Sequence, residues 1–396
     1  MLRAAGCVLL AYSLLRGLRS PNLWAATHGL FDYESGFTRR GLLGAVLRLI
    51  DAPFVYTYAF FFWLSAALLA ANVALLVVLT AGHFRSRNVA PAWATLVYFS
   101  GMGVVFMAHT IGYFDQAGLL LALVALCVRD FRARYALVAV ALSLLILVHE
   151  TAFVTFGPVL CFILALDASR AATPGRMRAL AALAVWLILE VVLVGRSSLS
   201  PAAAHDLYAT LQSRADFPLR RDAFDVLTRS FADNVAATIA MWRDASFVDA
   251  FLHSAAVALP SIVFILGVAV HALAAGRHRR GLWVAACAAG LSPLALHLVG
   301  WDCVRWNTLA ITTSFVVLLA VTRLAGAGYR ESDVRGTRGS PALAIVAVPL
   351  VVMNLVTGVT LFDNREVQSF PFRDHVDYVR DAWSGRAAFP PRPAHD

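Results

Sequence analysis

The sequence predicts an all-α fold, a polytopic transmembrane bundle of about eleven spans with its chemistry gathered on one face. Three observations predict it. Of the 396 residues, 60% are hydrophobic and only 14% charged, where a soluble chain carries about a quarter charged residues. Long apolar stretches recur from end to end, separated mostly by short loops. Those loops alternate between two kinds. One kind is rich in arginine: Arg85 and Arg87, Arg129 to Arg134, Arg170 to Arg178, Arg277 to Arg280, and Arg323 to Arg338. The other holds Asp32 and Glu34, His109 and Asp115, His149 and Glu150, and Asp302 with Arg305. The positive-inside rule puts the arginine loops in the cytoplasm and the chemical loops outside. The net charge of +9 is therefore an orientation signal, not a groove for nucleic acid.

A span needs about 20 apolar residues, somewhat fewer where arginines snorkel. Segments near 3–18, 55–81, 89–107, 116–128, 135–148, 152–167, 179–195, 251–275, 281–299, 307–323 and 341–361 meet that description. The first, bounded by Arg3 and Arg16, is read as a span and not a signal peptide, with the N-terminus in the cytoplasm. Residues 1–361 then form one transmembrane unit. Residues 19–54 and 196–250 are its long external loops, and residues 362–396 are an external tail that ends in Pro390-Pro391-Arg392-Pro393. Gly41 to Ile50 is apolar on one face at helical spacing, which predicts a helix along the membrane surface. In 196–250, Phe224, Leu227, Phe231 and Val235 predict amphipathic helices over the outer face. The five cysteines are scattered and make no disulfide framework or zinc spacing. Internal repeats, heptads, a Walker loop, GxGxxG, HExxH and CxxC are all absent. No organic cofactor is called for, and no spacing indicates a divalent metal.

The candidate residues fall in four clusters. In the first external loop, Asp32 and Glu34 precede Gly36 and the pair Arg39-Arg40. A shielded carboxylate can take a proton from a hydroxyl, and arginines can hold phosphate oxygens in a planar fork. The competing reading is a surface turn with acids capping a helix and arginines meeting lipid headgroups. Asp115 follows His109 in a loop without arginine and opens the next span, where it either caps the helix or adds an acid to a pocket. His149-Glu150 sits between two spans with almost no loop, costly at a membrane boundary unless paired. In Gly300-Trp301-Asp302-Cys303-Val304-Arg305-Trp306, Asp302 and Arg305 share a helical face. They are either a structural ion pair beside interfacial tryptophans or a phosphate-binding arginine with its partner. Glu190, alone in an apolar run, is expected to face the bundle interior.

Many spans, a first external loop carrying Asp32-x-Glu34, surface helices in that loop and a further acid at Asp115 together resemble the integral-membrane glycosyltransferases of the GT-C fold. The resemblance covers the span layout over nearly the whole chain on short motifs. It departs from better-known members in lacking an adjacent acidic pair and a large soluble C-terminal domain. The resemblance implies a polyprenyl-phosphate-linked sugar as donor, a glycan or lipid acceptor, and a bacterial inner membrane with the active face outside. It implies Asp32 or Glu34 as the base and Asp115 as a second acid of the pocket. Arg39, Arg40 and Arg305 would hold the leaving phosphate, with His149, Glu150 and Asp302 placing substrates. A surface-polysaccharide polymerase would use the same face. A secondary transporter would put its charges near the midplane, and an envelope scaffold would need none of these acids.

Overall fold

The computed structural model describes residues 1–50, 52–171, 174–275, 280–324 and 341–357. Every element among them is helical. In chain order they are α1 (Leu2–Gly17), α2 (Leu23–Gly29), α3 (Leu42–Ile50), a 3-10 turn (Pro53–Tyr56), α4 (Tyr58–Thr80), α5 (Ala90–Ser100) and α6 (Met102–His109). Next come α7 (Asp115–Cys127), α8 (Phe131–Val148), α9 (Ala152–Thr155), α10 (Gly157–Ala171) and α11 (Pro174–Arg196). Then follow α12 (Pro201–Arg214), α13 (Arg221–Thr228), α14 (Phe231–Met241), α15 (Ala245–Ala275), α16 (Arg280–Leu291), a 3-10 segment (Ser292–Leu298), α17 (Cys303–Leu324) and α18 (Pro341–Val356).

Each of the eleven apolar segments falls wholly or in part on a helix among the described residues. Among the described residues seven helices are long and apolar enough to cross a membrane, or eight if α5 and α6, bent by 44° at Gly101, form one broken span. This is a multi-pass helical membrane protein. The segments near 3–18 and 116–128 form shorter helices of 16 and 13 residues, and that near 341–361 is described as a helix over Pro341–Val356, next to residues outside the described set. The C-terminal tail and Arg277 to Arg279 lie outside the described residues, as does nearly all of the Arg323 to Arg338 loop.

The axis of the bundle is α17, buried along nearly its whole length and packed on α15, α16, α10, α6 and α5. Small and hydroxylated residues permit this approach. Thr313 Oγ1 donates to the Gly290 carbonyl at 2.7 Å, and Phe315 stacks on Tyr98 at 4.0 Å. The crossing of α1 and α6 is closer still: a Cβ on Gly17 would lie 1.9 Å from the Val105 carbonyl oxygen. By contrast α11 exposes Val185, Trp186, Ile188, Leu189 and Leu193, as a helix facing lipid does. Glu190 sits half-buried near Ser143 of α8, on the face of α11 that Leu183, Leu187 and Val194 bury, so it turns toward the bundle as expected.

Buried arginines tie helix ends together by occupying the carbonyls that a helix C-terminus leaves open. Arg16 donates to the Asn354 and Thr357 carbonyls, each at 2.9 Å, and binds the ends of α1 and α18. Arg19 donates to the His109 carbonyl at the end of α6. At the other end of the bundle Arg134 donates to the Ala125 and Val128 carbonyls and pairs with Asp167. The arginine-rich loop at Arg129 to Arg134 thus contributes a buried clamp as well as surface charge.

Residues 19–54 and 196–250 pack on each other. Leu30, Phe31, Val55, Leu207, Leu211, Phe217, Phe224 and Leu227 make a second apolar core, distinct from that of the bundle. It holds α2, α3, α12 and α13 as a cap over one end. Helix α3 leaves Val46, Leu49 and Ile50 exposed, beside exposed Phe54.

Candidate functional site

The cap covers the bundle end at which α6 and α8 finish and α7 and α17 begin. The segments at this end carry the four clusters, and the fold joins them in two pairs, the first with the third and the second with the fourth. From the first cluster, Arg40 reaches Glu150 with Nη2 to Oε1 at 2.6 Å and Nε to Oε2 at 2.9 Å, a two-pronged pair between residues 110 apart. Arg40 Nη1 lies 3.4 Å from His28 Nδ1, and His28 packs near His149. Arg40 has φ +66°, a left-handed conformation unusual for a side-chain-bearing residue.

Arg305 organises the second group. Its Nε donates to Asp115 Oδ2 at 2.8 Å, and its Nη1 reaches Asp302 Oδ2 at 3.4 Å. Tyr113 and Trp306 lie against the guanidinium at 5.0 and 4.7 Å from their ring centroids. Nη2 of Arg305, Nε1 of Trp306 and Nε of Arg39 are buried without a hydrogen-bond partner. All three are donors, so the group that would satisfy them is an acceptor.

These residues line a cavity of about 920 Å³. One pole is arginine: Arg39, Arg40 and Arg305 within, Arg220 and Arg229 from the cap. Arg220 and Arg229 bracket α13 and rest over Trp24 and Trp301, each at 5.7 Å. Arg39 donates to the Arg229 carbonyl and fixes the cap to the first loop. The lining also has an apolar part, Phe153, Val154, Val191, Val192, Leu296 and Val299, at the ends of spanning helices, with Arg196 one turn beyond Val192 on α11. The cavity is thus amphipathic, charged under the cap and greasy beside the bilayer-facing helices.

Several groups here are displaced from their ordinary protonation behaviour. Burial disfavours the Glu150 charge, but Arg40 outweighs it and holds the carboxyl well below the usual carboxylate range. Burial and then Arg40 push His149 well below its ordinary value, and the same two causes act on His28, so both imidazoles are neutral at pH 7. Burial raises the Tyr113 phenol to about 12. Burial also raises the Asp302 carboxyl, an effect that Arg305 partly offsets. Asp302 lies deep in the molecule, yet its side chain is 36% open because it faces the cavity.

The sequence-derived candidates thus separate. Arg39, Arg40, His149, Glu150, Asp302 and Arg305 line the cavity. Asp32, Glu34 and Asp115 do not. Asp32 is buried and accepts the Glu34 backbone N–H at 3.0 Å within its own turn. Glu34 points to the surface, near Arg48 and Arg214. Asp115 stands behind Arg305 as its partner and borders a separate pocket of about 20 Å³ with Thr110, Thr308 and Thr312. Among the described residues no three His, Cys, Asp or Glu side chains meet as a metal site.

The sequence reading missed His28, Trp24, Tyr113, Arg220 and Arg229. One signal was available: 196–250, assigned outside, holds six arginines where positive-inside expects few. A misplaced charge excess of this kind marks either a wrong topology or a binding surface. Family models, characterised proteins and solved structures were compared with the chain, and none matches it.

Proposed function

We propose that this protein is a membrane glycosyltransferase that moves a sugar from a polyprenyl-phosphate donor to a lipid-linked or cell-envelope glycan at the external face of a bacterial inner membrane. The observation that carries this reading is the amphipathic cavity, which joins an arginine pole to an apolar wall at the end of a membrane bundle. A polyprenyl-phosphate sugar has the matching form: a long apolar chain, a single charged phosphodiester and a polar head. Its chain would lie against Val191, Val192 and Phe153, and its phosphate against the cavity-lining guanidinium groups of Arg305 and Arg39, each of which also has a buried nitrogen without a hydrogen-bond partner.

Such a transfer builds negative charge on the leaving phosphate, and fixed guanidinium groups stabilise it without reorganising. Glu150 holds Arg40 in place, and Asp115 holds Arg305, so both are positioning residues. Trp24 and Trp301 offer ring faces for the sugars once Arg220 and Arg229 move aside. With all eleven apolar segments crossing the membrane, the N-terminus is cytoplasmic and the cap external, where nucleotide sugars, being cytoplasmic, are not direct donors.

The test is the mass spectrum of surface glycans from a deletion strain complemented with wild type or Arg305→Gln. Loss of one sugar, restored by wild type but not by the variant, is the expected result. Single repeat units in place of long chains would point to a polymerase using the same cavity. Unchanged glycans would refute a role in glycan synthesis and direct attention to transported solutes.

A further inference from the structure

The cavity contains four carboxylates, and their surroundings differ in what they leave free. Both oxygens of Glu150 are held by Arg40. Both oxygens of Asp222 are held by Arg220 at the exposed edge of the cap. Asp225 is exposed on α13. Asp302 alone is deep, open to the cavity and loosely held, through one oxygen at 3.4 Å from Arg305. On the reading proposed above, we infer that Asp302 is the catalytic base that takes the proton of the acceptor hydroxyl, the role that the loop motif suggested for Asp32 or Glu34. Neither Asp32 nor Glu34 reaches the cavity wall.

The step balances within the proposed substrates. The acceptor O–H bond breaks and its proton passes to Asp302. The acceptor oxygen bonds to the anomeric carbon as the bond from that carbon to the phosphate oxygen breaks. The electron pair leaves with the polyprenyl phosphate, whose added charge meets the Arg305 guanidinium on the cavity wall. Arg305 thus lies between base and leaving group, and Asp115 on its Nε keeps it oriented.

The experiment uses the full-length protein in detergent, a panel of polyprenyl-phosphate sugars and membrane glycan acceptors, with Asp302→Asn, Asp302→Glu and Asp225→Asn beside wild type. Asp302→Asn is expected to lower transfer at least 100-fold while binding polyprenyl phosphate within threefold of wild type, with Asp302→Glu recovering part of the rate. Retained phosphate binding shows that the variant is folded. The titratable and charged groups facing Asp302 are Arg305 from α17, Asp115 from α7, Arg40 from the first loop and the Tyr113 phenol from the turn before α7. With burial they set the acid limb of the rate profile, which is expected to lie above the ordinary aspartate range and to vanish in Asp302→Asn. Transfer by Asp302→Asn within threefold of wild type would overturn the inference, as would loss in Asp225→Asn alone. If wild type transfers no sugar and binds no polyprenyl phosphate, the functional reading itself fails.

Discussion

Glu150→Gln removes one charge from the Arg40–Glu150 pair and leaves the other buried. The two side chains are only 10% and 18% exposed, and both bonds are within 3 Å. Two unit charges about 4 Å apart interact by about 4 kcal/mol at an effective dielectric constant of about 20. Stripping one partner from a buried pair costs about 3–5 kcal/mol, because the survivor keeps its desolvation penalty. Partial access to the cavity places the expected loss near the lower end, about 3 kcal/mol. Arg40→Gln is expected to cost a similar amount. Residue 40 keeps its left-handed backbone in either form, so that strain cancels in a double-mutant cycle. The double variant should fall short of the sum of the singles by about 2 kcal/mol. Equilibrium unfolding in mixed micelles measures all four proteins. Additive losses, or a Glu150→Gln loss under about 0.5 kcal/mol, would refute the buried pair as the pin between the first loop and α8.

Three further predictions concern other parts of the molecule. Gly17→Ala drives a Cβ into the Val105 carbonyl and should cost about 3 kcal/mol as α1 leaves α6, whereas Gly267→Ala, with open space around it, should gain about 0.5–1 kcal/mol; thermal unfolding of the two separates crowding from propensity. His28, His149 and His83 are all depressed by burial, His83 to about 4, so the unfolded chain binds protons more readily than the folded one. Their contribution is complete above the unfolded value of about 6.5 and is lost as pH falls below it, by about 1.4 kcal/mol per pH unit per histidine down to each folded value; melting temperatures flat from pH 7.5 to 5 would contradict this. Arg305→Gln removes a charge-assisted hydrogen bond worth about 1.5–3 kcal/mol, so polyprenyl phosphate should bind about 10- to 100-fold more weakly; equal affinity by equilibrium binding in micelles would exclude Arg305 from the phosphate site.

Composition and the spacing of apolar residues determine that the chain is helical and lies in a membrane, because those properties act locally, one segment at a time. Loop charge likewise isolates the segments that hold Arg40, Glu150, Asp302 and Arg305, since acids and histidines between spans are costly and few. Span lengths were less legible: α7 and α18 read as apolar runs, but their ends depend on where the chain turns against its neighbours. Only the tertiary structure decided which charges meet. Arg40 and Glu150 are 110 residues apart, and Asp115 and Arg305 are 190 apart. No pattern along the chain records such distances. Adjacency in sequence was misleading for Asp32 and Glu34, which share a loop with Arg39 and Arg40 yet turn away from them, one into its own turn and one to the surface. The cap depended on tertiary structure most of all. Phe31 and Phe224 meet in it because two separate loops bury apolar faces that neither can bury alone.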